Sequence, residues 1–127
     1  MFLQNLDPQQ QNALLYLAKK VMLANGEVSL KEKALYDRLE SQCIEGAKPS
    51  EPPSLAQVFP DRRSKVSLII ELMGMALADE TYHEEESHII ENVADDLLLE
   101  DQLLDDIETW VRKQFILIEE ATTFMEQ

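Results

Sequence analysis

Asp79, His83 and Glu86 come nearest to a chemical site in this chain. An acid just past one helix and a glutamate seven residues on, in the first turn of the next, converge when the turn between them is tight. Asp79 and Glu86 hold those positions, with His83 between them. Carboxylate oxygens suit Ca²⁺ or Mg²⁺, and an imidazole tilts the choice toward Zn²⁺. A related segment lies 54 residues earlier, where Asn25, Glu27 and Glu32 form a degenerate counterpart with one carboxylate fewer. The twelve-residue ligand ladder of an EF-hand, with its central glycine, is missing. The competing reading is that Asp79 and Glu86 only cap helix ends and complement the positive end of the dipole.

Other chemistries fail on spacing. His83 and His88 flank three glutamates, but a zinc-protease helix needs its two histidines four residues apart. Five residues put them about 140° out of register. Cys43 is the one thiol and sits near the end of an apolar helix, where a buried structural cysteine is expected. Nothing places Ser, His and Asp in a triad, and three scattered glycines make no phosphate-cradling loop. An enzyme is not expected.

The charge distribution constrains partners. Net charge is −14. Residues 1–65 are nearly balanced, whereas between Asp79 and Glu108 there are thirteen acids and no Lys or Arg. Such a field repels phosphate backbones and anionic membranes, so neither nucleic acid nor direct membrane insertion is expected. It suits a solvated acidic face, a cation or a basic protein surface. Without a membrane-length apolar run or a signal-peptide pattern, and with a lone cysteine, the expected location is cytoplasmic.

The elements that would position these residues are all helical. Asp7-Pro8-Gln9-Gln10 caps a first helix running to about Ala24, with Leu14, Leu17, Ala18, Val21 and Met22 as its inner stripe. Gly26 ends it in a left-handed turn. Ser29-Leu30-Lys31-Glu32 opens a second helix that turns Leu35, Leu39 and either Cys43 or Ile44 inward. Four prolines between Gly46 and Pro60 mark a crossover loop with one helical turn at 54–59. Asp61 caps a helix that is apolar nearly all round from Val66 to Leu77, hence central, and Gly74 is expected to permit a close helix crossing. A helix from about His83 to Leu98 follows, and a last one begins near Glu100 with Leu103, Ile107, Trp110, Val111, Ile118, Ala121 and Met125 as apolar positions. The expected fold is all-α: one domain of residues 1–127, two pseudo-repeated helical hairpins plus a C-terminal helix.

Leu23-Ala24-Asn25-Gly26-Glu27-Val28 with Glu32, and Leu77-Ala78-Asp79-Glu80-Thr81-Tyr82 with Glu86, resemble the helix-elbow motif of the tellurite-resistance TerB family. The closing stretches Leu103–Val111 and Glu120–Phe124 are similar to the end of TerB-like domains, so the resemblance spans about residues 10 to 126. It implies two pseudo-repeated hairpins, acidic turn residues as divalent-metal ligands, and a link with tellurite resistance, phage defence and stress responses. Related domains act as modules in larger assemblies. Asn25 replaces the usual Asp and Glu80 the usual Gly, and no J-domain His-Pro-Asp tripeptide is present. The resulting expectation is a non-enzymatic stress-response module whose acidic face binds a divalent cation or a basic protein partner. The alternative is a structural interaction subunit with no metal role, homodimeric or otherwise. It would use the proline crossover or the last helix (Trp110, Phe115, Phe124).

Overall fold

In the computed structural model, which describes residues 1–24, 26–78 and 82–126, each of the long helices begins at a polar residue in extended backbone. Helix α1 (Pro8–Leu23) follows a short 3-10 turn at Leu3–Asn5, and α2 (Leu30–Gln42) follows the first acidic turn. A single turn, α3 (Leu55–Val58), lies inside the proline-rich crossover. Then come α4 (Arg62–Ala76), α5 (Glu84–Asp96) and α6 (Asp101–Met125). The described residues contain no strand, and none of their helices is long and apolar enough to cross a membrane.

The caps follow the sequence chemistry. Asp7 Oδ1 accepts from Gln10 N at 2.8 Å, and Gln10 Oε1 accepts from Asp7 N at 2.9 Å. Gly26 takes φ 79 past the end of α1, as expected of a residue without Cβ. Asp61 Oδ1 accepts from Ser64 N at 2.7 Å, and these hydrogen bonds hold the Asp61 carboxyl below its ordinary value. Each bond satisfies an amide in the first turn that has no intrahelical partner.

Helix α4 is the centre. Leu68, Ile69, Leu72, Met73 and Ala76 are fully buried, and α1, α2, α5 and α6 all pack against it. Leu14, Leu15, Ala18 and Val21 of α1 and Ile90 of α5 complete the same buried cluster. The crossover is tied to α1 by three consecutive side chains. Gln10 Nε2 donates to Val58 O at 2.8 Å, Gln11 Oε1 accepts from Ile44 N at 2.9 Å, and Asn12 Oδ1 accepts from Lys48 N at 3.0 Å. Gln10 and Gln11 are buried, so these bonds satisfy polar groups that water does not reach.

Several expectations need correction. Tyr36 joins the core beside Leu39, and of the two alternatives at the end of α2 it is Cys43 that turns inward. Gly74 makes no close crossing, since a Cβ there would meet nothing within 4 Å. Ile118 and Met125 continue the inner stripe of α6 on paper but are exposed, Ile118 beside open space between α6 and α2. Helix α5 ends at Asp96 rather than Leu98, and Leu98 adopts φ 59.

Candidate functional site

The two acidic turns lead into matching helix starts. Ser29 Oγ accepts from Glu32 N at 3.0 Å, and Glu32 Oε1 accepts from Ser29 N at 3.2 Å. At α5, Glu86 Oε1 accepts from His83 N at 3.1 Å. Glu32 and Glu86 are both almost fully buried, His83 is half-buried and Glu27 is exposed. Asn25 and Asp79 lie outside the described residues. The structure therefore brings Glu86 to the backbone of His83 and Glu32 to that of Ser29. Among the described residues, no three His, Cys, Asp or Glu side chains come together to hold a metal. His88 Nε2 lies 3.7 Å from Glu84 Oε1 in an exposed pair one helical turn apart.

The acidic surface is where the sequence puts it. Glu84, Glu85, Glu91, Asp95, Asp96, Glu100, Asp101, Asp105 and Asp106 are all exposed along α5 and the first turns of α6. Arg62 approaches Glu100 at 3.6 Å across the surface. Cys43 is buried, and desolvation, with Glu71 and Glu40 nearby, pushes its thiol up. A thiol held in its neutral form is a packing group rather than a nucleophile at neutral pH.

Two open clefts adjoin the second half of α6. A cleft of about 730 Å³ is lined by Leu3, Leu39, Ile70, Glu71 and Gly74. A second, of about 630 Å³, is lined by Lys31, Ala34, Leu77, Arg112 and Glu119. Leu35 and Arg38 of α2 and Phe115 and Ile118 of α6 line both, so the two clefts adjoin where α2 and α6 face each other. A third cleft, of about 410 Å³, runs between the proline crossover and α5, past Pro52, Pro53, Ile89 and Asp96.

Helix α6 also carries an apolar stripe away from these clefts. Leu103, Trp110, Leu117 and Phe124 recur every seven residues, which keeps them on one helix face with a drift of about 20° per repeat. Leu103 packs on the core, Trp110 is 37% exposed, Leu117 54% and Phe124 76%. Trp110 touches the ring of Phe2 at a centroid distance of 6.1 Å. Of the aromatic residues expected on an interaction surface, Trp110 and Phe124 share this face, while Phe115 turns toward the clefts. Leu117 escaped the sequence reading. The signal that finds it is the seven-residue recurrence, which a search for the inner stripe alone passes over. No family model matches this chain, and neither the curated proteins nor the solved structures compared with it yield a match.

Proposed function

We propose that this chain is a non-enzymatic, TerB-like helical module, built from two related hairpins (α1–α2 and α4–α5), that works by binding a protein partner through the far half of α6. One observation carries the reading. The far half of α6 is studded with Ile116, Leu117, Ile118, Phe124 and Met125, each more than half exposed. Helical stability in proteins comes mostly from tertiary packing of one face, which this exposed stretch lacks. The β-branched Ile116, Ile118, Thr122 and Thr123 lower the intrinsic propensity further. An apolar helical stretch of this kind is stable when another surface covers it. The acidic face of α5 selects among neighbours by charge, since it repels acidic surfaces and attracts basic ones. The hairpin relationship is supported by the helix starts of α2 and α5, which place a buried glutamate at the same position 54 residues apart.

The test is a photo-crosslinking residue at position 117 of the full chain, used in the cells that make the protein. Crosslinks to a protein, lost when Phe124→Glu is added, support the module. Absence of any protein crosslink, at 117 and equally at 124, overturns it.

A second reading keeps the acidic turns as a divalent-cation site of Asp79, His83 and Glu86, with Asn25, Glu27 and Glu32 as its weaker counterpart. It is favoured by the two buried carboxylates, Glu32 and Glu86, standing beside those turns. Chelator-stripped protein titrated with Ca²⁺, Mg²⁺ and Zn²⁺, followed by amide NMR shifts, decides it. Saturable shifts confined to residues 77–88 support a site. Weak shifts spread along 84–108 mean counterion screening by the acidic face.

A further inference from the structure

Resting on the module reading above, we propose that the partner covering α6 is a second copy of this chain, with the two α6 helices antiparallel about a twofold axis at Leu117. The argument begins with the stripe. A seven-residue recurrence keeps large apolar residues on one helix face, where the side chains of a second helix can pack between them. Here the stripe lies beside the face that packs on α4, where Val111 and Ile107 are buried, so it remains available to a second helix.

Register follows from residue size. With Leu117 on the axis, residue n of one helix stands at the level of residue 234 − n of the other. Trp110 then meets the partner's Phe124, Phe124 meets the partner's Trp110, and Leu117 meets its twin. Two aromatic pairs flank one aliphatic pair, and the most exposed ring, Phe124, gains the most cover. The contact is isologous and closes at two copies.

Charge selects the direction. Lys113 and Glu120 are exposed, seven residues apart on one edge of the stripe, and neither makes an ion pair among the described residues. A twofold axis perpendicular to the helix pair keeps equivalent edges together. Lys113 therefore comes within one residue's rise of the partner's Glu120, and the symmetry produces two such pairs. A parallel pair in register would put each residue at the level of its own twin and make neither. The strongly acidic face, along α5 and the first turns of α6, precedes the overlapped segment 110–124.

The test is sedimentation equilibrium of the full chain across the micromolar range, with circular dichroism to confirm folding. The native chain is expected to dimerise. Lys113→Glu and Glu120→Lys should each weaken the dimer about tenfold or more, because each replaces two attractions with two repulsions. The double variant Lys113→Glu/Glu120→Lys should return to within a few-fold of native. Leu117→Cys should form a symmetric disulfide dimer on mild oxidation, with buried Cys43 as internal control. A native chain that stays monomeric at 100 µM, or single charge variants that dimerise as well as native, overturns the proposal. Crosslinks from position 117 that reach only a different protein would overturn the self-pairing while leaving the module reading standing.

Discussion

Glu32 and Glu86 hold the same position in two helices 54 residues apart. Each is the third residue of its helix, each is nearly inaccessible to water, and each accepts the backbone N–H of the residue that opens the helix. The corresponding place in α1 is taken by Gln10, which makes the same bond with an uncharged side chain. The charge is therefore dispensable for the cap, and the oxygen is not. Glu32→Ala and Glu86→Ala should each lower unfolding free energy by about 1 kcal/mol, within the usual span for lost caps. Glu32→Gln and Glu86→Gln should keep most of it. Urea unfolding separates the two outcomes. Gln variants as damaged as Ala variants would show that the negative charge itself is used at these turns.

Tyr36 carries a different kind of tension. It is buried in α2 beside Leu39 and Cys43, and its Oη has no hydrogen-bond partner among the described residues. An unmet buried hydroxyl costs about 1–3 kcal/mol, so Tyr36→Phe should stabilise the protein by about 1 kcal/mol. Desolvation raises the Tyr36 phenol above its ordinary value of 10.0, and nearby Glu40, Cys43 and Asp37 act in the same direction. The folded state therefore holds this proton more tightly than the unfolded chain does. Stability should fall as pH rises past 10.0, and the fall should be shallower in Tyr36→Phe. Denaturant midpoints measured from neutral to strongly alkaline pH check both the sign and the residue.

How far the sequence speaks depends on where the information sits. Caps are local, so Asp7, Ser29 and Asp61 announced their helices, and the apolar stretch from Val66 to Leu77 announced a central one. Burial is a property of three-dimensional extent, and α6 shows the difference. Ile118 and Met125 keep the inner spacing of Ile107 and Val111, but both are exposed. Gln11 was illegible for a related reason, because its partner Ile44 is set by the path the chain takes after α2. Of the site, the acidic face and the cap glutamates were visible in residue type and spacing. Leu117 was hidden because its seven-residue series runs along a face that the fold leaves uncovered.

Gly74 offers a direct check on that lesson. A glycine in an apolar central helix suggests a close helix contact, yet the space over its Cα is open and φ is not in the left-handed region. Without a packing role, only the backbone cost remains, and Gly74→Ala should stabilise the protein by about 0.5–1 kcal/mol. A thermal or urea midpoint that moves down instead would mean the adjoining cleft is filled by something that needs the missing methyl's space.

Leu98 poses the opposite case, a side chain where glycine belongs. Leu99 N donates to Ala94 O at 2.9 Å and Leu98 N to Asp95 O at 3.0 Å, the paired bonds that close a helix through a left-handed residue. Leu98 supplies that residue at φ 59 while its side chain is 87% exposed, so it accepts the strain without gaining burial. The left-handed conformation costs a residue with a Cβ about 1–2 kcal/mol, part of which glycine's greater unfolded-state freedom would offset. Leu98→Gly should therefore raise unfolding free energy by about 0.5–1 kcal/mol and leave helix content unchanged. Strained backbone clusters at functional sites, so exposed Leu98 is a position to test for contact with a partner. If Leu98→Gly stabilises the protein yet reduces the yield of crosslinked partner, Leu98 belongs to the binding surface along with α6. If the yield is unchanged, the strain is local and α6 acts alone.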